Sequence, residues 1–363
     1  MVGGYVNEIA PPNLRSTLSG GLQASLSIGT VLVVCTFFFA NTSSGWRYIA
    51  GFQIVWGVLF IALAPFLLVE SPAWLLTKGK RNEAAQMMGR IYGEQHVSLA
   101  FTWFESLASA SDIETPRAGS QATKDSDQQL LAPQQSTLSL LISPVFRRQF
   151  TISIVIAIAQ QLSGINAVFY YSSSLFIDAG ISDDRVGSLI VNVMSFLPTF
   201  TTGFFVNRFG YRKTLLGGFL GMLASSVGIT IALLASVSEL SIVFTGTYVG
   251  FFSMSLGPLI YVVSADVFPD SVRASAVSVC IFMNWLANLV VGVSFPYVSD
   301  ALDNLSFVPF IVTLAVFFLF TLKMLPETLG KTSDEIQNEF RLLREAKSAS
   351  SSPRSGAATS SNL

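Results

Sequence analysis

The sequence predicts an all-α membrane protein, and three observations carry the prediction. Only 12% of the 363 residues are charged, about half the share of a soluble domain, while 51% are hydrophobic and the mean hydropathy is +0.57. Eight apolar stretches meet the requirement of roughly 20 residues for a helix crossing a bilayer. They run over residues 19–40, 48–69, 149–176, 186–206, 214–236, 240–264, 274–297 and 305–325. Finally, the loops between them alternate between basic and acidic.

The basic set includes residues 70–148, with Lys78, Lys80, Arg81, Arg90, Arg147 and Arg148, and residues 207–213, with Arg208, Arg212 and Lys213. Lys331 opens the tail on the same side. The opposite loops hold Asp178, Asp183, Asp184, Glu239, Asp300 and Asp303. The Lys/Arg bias places the first set in the cytoplasm of a plasma or organelle membrane. Two N-x-S/T sequons, at Asn41 and Asn304, fall on the other side, close to the bilayer.

Residues 70–148 read as an insert without a core of its own. Within it, Asn82 to Tyr92 has helical character through Ala84, Met87, Met88 and Ile91, and Phe101 to Leu107 suggests a second short helix. Ser111 to Gln135 has the polar composition of a flexible linker, and the Ser-rich stretch from Ala346 to Leu363 that of a disordered tail.

A net charge of −1 excludes a nucleic-acid role driven by phosphate neutralisation. Cys35 and Cys280 both lie in apolar spans and read as small hydrophobes rather than a disulfide. The lone histidine, His96, lies in a polar loop. The sequence offers no metal-ligand cluster, no Gly-rich phosphate loop and no nucleophile with a base, hence no candidate for enzymatic chemistry and no cofactor.

The third span carries the most informative run, Gln160-Gln161-Leu162-Ser163-Gly164-Ile165-Asn166-Ala167-Val168-Phe169-Tyr170-Tyr171-Ser172. Three carboxamides, two phenols and serines at bilayer depth must each find a partner. At about 100° per residue, Gln160, Gly164 and Tyr171 share one stripe while Asn166 points away from it. Ser163-Gly164 offers a place for the helix to loosen and bring Asn166 round, since glycine tolerates irregular backbone. Broken membrane helices line cavities and carry substrate sites in transporters. Interhelical hydrogen bonding between packed helices is the alternative, but this many neutral hydrogen-bonding groups in one segment favour a substrate site.

A long-range repeat is also present. Glu8 to Arg15 (EIAPPNLR) matches Asp266 to Arg273 (DVFPDSVR), 258 positions on (266 minus 8). Glu70-Ser71-Pro72 pairs with Glu327-Thr328 at almost the same offset, 257 (327 minus 70). The second copy is preceded by four spans, whereas only Met1 to Val6 precedes Glu8. The parent expected from this is a six-plus-six helix transporter, of which the present chain lacks about three helices and most of a fourth.

These motifs resemble the sugar porter family of the major facilitator superfamily, the group that includes facilitative glucose transporters and hexose carriers. Gln160-Gln161-Leu-Ser-Gly-Ile-Asn166 with Tyr170-Tyr171 is similar to the family's seventh-helix signature. Glu70-Ser71-Pro72-Ala73-Trp74-Leu75 resembles P-E-S-P-R-W-L, with Val69 and Ala73 departing from it. Leu325-Pro326-Glu327-Thr328-Leu329-Gly330 resembles P-E-T-K-G, and the run from Asn207 to Lys213 a D-R-x-G-R-R loop that has lost its acid. In the tenth helix, Ser253 stands where the family has an acid and Tyr261 where it has a tryptophan, while Gly257-Pro258 keeps one possible break.

The resemblance implies a major facilitator fold with about eight complete transmembrane helices remaining. Residues 1–69 would be the remnant of the N-terminal bundle, 70–148 a cytoplasmic loop, 149–328 the C-terminal six-helix bundle, and 329–363 a cytoplasmic, largely disordered tail. It implies sugar contacts at Gln160, Gln161, Asn166, Asn192, Gln23 and Asn284, with Trp285 and Tyr171 beside them. Neutral amides suit a neutral polyol, since they donate and accept hydrogen bonds without a buried charge. Glu8, Arg15, Glu70, Arg208, Arg212, Asp266, Arg273 and Glu327 would form ion-pair clusters that close the two halves on the cytoplasmic side. The implied function is alternating-access transport of a hexose-like monosaccharide, facilitated or proton-coupled. The family's coupling acid lies in a first helix that this chain does not contain. A non-transporting sugar sensor and an inactive truncated carrier are the alternatives.

Overall fold

The computed structural model describes residues 2–11, 14–40, 42, 44–104, 141–169 and 184–351. Among them every assigned element is helical. In order these are α1 (Val2–Ile9), α2 (Arg15–Thr36), α3 (Gly45–Leu67), α4 (Pro72–Thr77) and α5 (Arg81–Tyr92). A further helical stretch covers residues 97–104. Then come α6 (Arg147–Leu162), α7 (Asp184–Thr199), α8 (Thr202–Phe209), α9 (Tyr211–Leu234), α10 (Ser238–Met254), α11 (Leu256–Asp266), α12 (Asp270–Leu302), α13 (Val308–Met324) and α14 (Ser333–Ser351).

Among the described residues six helices are long and apolar enough to cross a membrane: Gly45–Leu67, Arg147–Phe169, Arg185–Phe209, Tyr211–Leu234, Ser238–Asp266 and Ser275–Leu305. The other two expected spans are helical but shorter in their apolar part, Ala24–Thr36 and Val308–Met324.

The core lies where α6 meets α11, α12 and α13, and where α9 meets α10 and α13. Ile152, Ile156, Phe219, Met222, Tyr248 and Leu314 are fully buried there. α2 packs across this bundle on α7 and α11. α3 differs, leaving Ile54, Val55, Phe60, Ile61 and Phe66 exposed around its circumference. A helix apolar on every side belongs in lipid or among other helices.

The repeat read from the sequence has a structural counterpart. Glu8 lies in the last turn of α1, as Asp266 ends α11. α3 stops at Leu67, three residues before Glu70, and α13 stops at Met324, three before Glu327. Thus α1–α2–α3 and α11–α12–α13 follow one plan. After α3, Ser71 Oγ accepts from the Trp74 N–H at 3.2 Å and Pro72 occupies the first turn, which starts α4.

Two expectations require correction. The insert after α3 has a small core, since Met88, Ala100 and Phe104 are buried with Leu76, Tyr92 and Trp103 packed on them. Its second helix begins before Phe101, and residues 105–140, with the expected linker, lie outside the described residues. The tail is also more ordered than its composition suggests, because α14 continues to Ser351. Ile336 and Phe340, one turn apart, bury themselves in the main core and hold it. Asn41 lies outside the described residues, and Asn304 is exposed in a short 3-10 turn.

Candidate functional site

The site begins with a break in a helix. α6 ends at Leu162, Ser163 and Gly164 form a turn, and helix resumes over residues 165–169. Gly164 has φ +89°, and a Cβ there would lie 2.5 Å from the Phe310 ring. Only glycine fits both demands. The interrupted ladder leaves carbonyls that must be satisfied inside the bundle. Ser163 Oγ donates to Gln160 O at 2.6 Å, Thr313 Oγ1 of α13 to Leu162 O at 2.9 Å, and the Tyr248 hydroxyl of α10 to Ser163 O.

The break brings Asn166 back toward α6, as expected. Asn166 Nδ2 donates to Gln161 Oε1 at 2.6 Å. Gln161 Nε2 donates in turn to Asn284 Oδ1 of α12 at 3.0 Å and approaches Gln160 Oε1 at 3.5 Å. Asn284 Nδ2 donates to Gln160 Oε1 at 2.8 Å and to Ala157 O at 2.7 Å. Gln160 Nε2 fastens α6 to the first turn of α11, through Leu256 O at 3.1 Å and Gly257 O at 3.0 Å.

A fifth carboxamide completes the network and was missed in the sequence. Asn288 Nδ2 donates to Gln161 Oε1 at 3.1 Å. Its signal was available, because Asn288 follows Asn284 by four residues and therefore shares its helix face.

The network has a closed end and an open one. Gln160 and Asn284 are 3% and 2% exposed, whereas Asn166 and Asn288 are only partly buried. An amide offers two N–H donors and two acceptor lone pairs. Gln160 and Gln161 use all of theirs within the protein. Among the described residues, Asn166 and Asn288 each use one N–H, and the carbonyl oxygen and second N–H of each meet no partner. Capacity for a polar guest is thus concentrated at these two asparagines.

Other expected contacts lie elsewhere. Asn192 donates to Ser188 O of its own helix at 2.8 Å and does not join the network. Trp285 is 59% exposed, one residue and about 100° round the helix from Asn284. Tyr171 and the Gln23 side chain lie outside the described residues. Ser253, at the departure in the tenth-helix motif, meets Ser195 of α7 at 2.9 Å.

Three charged residues of the repeat and of the start of α9, Glu327, Arg212 and Arg273, meet backbone groups at helix ends. Glu327 accepts from the backbone N–H groups of Tyr211 and Arg212, at 2.9 and 3.1 Å, at the start of α9. Arg212 donates to Leu322 O near the end of α13 at 2.6 Å. Arg273 donates to Ala265 O at 2.8 Å and Phe268 O at 2.9 Å after α11, and its charge also acts on Asp266. Helix ends leave N–H and C=O groups unpaired, and each charge here meets the end of matching polarity. Gly210, at φ +88°, lets the chain pass close over the Glu327 carboxylate. Glu8, Glu70 and Arg208 are exposed, and the Arg15 side chain lies outside the described residues.

Fold and site together define an all-helical, multi-pass membrane protein of the major facilitator superfamily. The chain matches the family model described as sugar (and other) transporter over residues 1–340 and belongs to that family, as a sugar porter. It is 33% identical to facilitated glucose transporter member 1 of solute carrier family 2 from Gallus gallus over 347 residues, covering 93% of this chain and 66% of the relative. It is 34% identical to member 3 from Oryctolagus cuniculus over 346 residues, with the same coverage. The chain therefore spans just under two thirds of the length of these relatives. Among solved structures it is similar to the proton:xylose symporter XylE bound to 6-bromo-6-deoxy-D-glucose, with TM-score 0.74 and 25% identity, covering 93% of this chain and 70% of that one. An inward open structure of XylE from E. coli gives TM-score 0.69 at 24% identity, covering 93% and 68%.

Proposed function

We propose that this chain takes part in moving a monosaccharide across a membrane by alternating access, with α6, α11 and α12 supplying the sugar-facing wall. The observation that carries this reading is the network of five neutral carboxamides at Gln160, Gln161, Asn166, Asn284 and Asn288. Such a set can exchange its own hydrogen bonds for those of several hydroxyls without burying a charge. The sugar docks first on the free valences of Asn166 and Asn288, then draws Gln161 away from its internal partners. Membership of the sugar transporter family and the glucose and xylose transporters among its relatives support the substrate class.

The interruptions at Ser163-Gly164 in α6 and at Ser255 between α10 and α11 supply the places where these helices flex. The contacts of Glu327, Arg212 and Arg273 with helix ends fasten the side of the bundle that the Lys/Arg bias assigns to the cytoplasm. Movement is facilitated or proton-coupled, and the lipid bilayer is the other partner.

The test is stereospecific binding to the purified chain in lipid nanodiscs, followed by uptake of radiolabelled D-glucose in cells lacking their own hexose carriers. D-glucose should bind and L-glucose should not. Equal failure of both sugars to bind overturns the reading.

A further inference from the structure

Two helix breaks in the bundle are joined to each other by side chains. One is Ser163-Gly164, between α6 and residues 165–169. The other is Ser255, between α10 and α11, with φ −131° and ψ −86°. Tyr248 of α10 is fully buried, and its hydroxyl donates to Ser163 O inside the first break. It precedes Ser255 by seven residues (255 minus 248), two helical turns, so the two lie on nearly one face of α10. The tie in the other direction comes from Gln160, in the last turn of α6 before its break. Its Nε2 donates to Leu256 O at 3.1 Å and Gly257 O at 3.0 Å, carbonyls of the first two residues beyond the second break. The stretch before each break thus holds the partner helix at its own break.

From this we infer that Tyr248 is a positioning residue for sugar binding: its hydroxyl fixes the turn that carries Asn166, and makes the two breaks move as one. The inference rests on the sugar-binding reading of the amide network. Ser163 lies between Gln161 and Asn166 in the chain, so the carbonyl that Tyr248 holds belongs to the bend that brings those two amides to 2.6 Å. The hydroxyl is the necessary part. A phenyl ring would fill the same space but leave the buried Ser163 O without this donor. A shift of α6 at its break is passed to α11 by Gln160 and to α10 by Tyr248, on the two sides of Ser255. The second break therefore adjusts with the first.

Dissociation constants for D-glucose are measured on the full chain in nanodiscs, for the unaltered protein, Tyr248→Phe, Asn166→Ala and the double variant. Tyr248→Phe should weaken glucose about 3- to 10-fold. In the Asn166→Ala background the same substitution should change affinity by less than about 2-fold, because the side chain through which it acts is gone. An equal loss in both backgrounds, or no loss in either, overturns the positioning role, since a residue that only supports the fold acts alike with and without Asn166. Hydrogen exchange of the unaltered protein tests the coupling without any variant. Saturating D-glucose should slow exchange at residues 164–168 and 255–257 together. Protection of one group without the other, or of neither, overturns the coupling while leaving the sugar-binding reading standing. Failure of the unaltered chain to bind D-glucose removes both.

Discussion

Gln161 Oε1 accepts a hydrogen bond from Asn166 Nδ2 at 2.6 Å across five residues of chain. A continuous helix would turn these two side chains well apart, since five residues rotate by about 500°. The left-handed Gly164 closes that gap. The contact that shapes the open end of the site therefore depends on a backbone defect rather than on helical periodicity.

Gly164→Ala should be strongly destabilising. The substitution places a Cβ in a backbone region that costs a non-glycine residue about 1–2 kcal/mol, and drives it into the Phe310 ring. A loss of about 2 kcal/mol or more is expected in thermal unfolding of the detergent-solubilised protein. A smaller cost of Gly164→Ala when it is introduced into the Phe310→Ala variant, measured against that variant alone, would assign the excess to the ring.

Asn288→Ala and Asn284→Ala should separate function from stability. Asn288 is partly buried, and its loss removes one hydrogen bond to Gln161, so stability should fall by only about 1 kcal/mol. Sugar affinity should fall several-fold. Asn284→Ala leaves Gln160, Gln161 and Ala157 O short of partners in a buried site, and should cost about 2 kcal/mol or more of stability. Parallel binding and unfolding measurements check the split. Equal effects of the two variants on both quantities would count against it.

Glu327→Gln keeps the shape of a side chain whose Oε1 accepts from the Tyr211 N–H and whose Oε2 accepts from the Arg212 N–H, but removes its charge and one of these two acceptors. A carboxylate at a helix N-terminus is worth about 0.3–1 kcal/mol at the surface and up to about 2 when partly buried. A stability loss in that range is expected, with Glu327→Ala losing more because the N–H groups are left unpaired. Hydrogen exchange of the Tyr211 and Arg212 amides reads the effect locally and should quicken.

Gln337→Ala should loosen the helix that the tail composition concealed. Gln149 Nε2 donates to Gln337 Oε1 at 2.7 Å, and Gln337 Nε2 donates to Val267 O at 3.1 Å, so one residue joins α6, α14 and the end of α11. Loss of these two bonds should raise the rate of protease cleavage within α14. The variant Leu342→Ala, at a 61% exposed position, should leave it unchanged.

Much of the site was legible before any coordinates. Gln160, Gln161 and Asn284 stood out as polar residues in apolar spans, and the need for a break at Ser163-Gly164 followed from where ideal geometry put Asn166. Asn288 was missed although its spacing from Asn284 announced it. Asn192 was expected in the site and instead satisfies itself on Ser188 O, an option open to any short polar side chain one turn from a carbonyl. The backbone contacts of Glu327, Arg212 and Arg273 were not legible, because sequence shows charges but not which backbone groups lack a partner.

The sequence by itself determined an all-helical membrane protein, its internal repeat and the carboxamides at bilayer depth. Those follow from composition and spacing, since lipid admits few ways to satisfy a backbone. Only the tertiary structure decided which amides meet across more than 120 residues of chain, which of them are buried and which only partly so, and that Glu327 and Arg212 hold helix ends. Hydrogen bonds at such separations depend on distances of a few ångströms between packed helices, and those distances emerge only when the whole core closes.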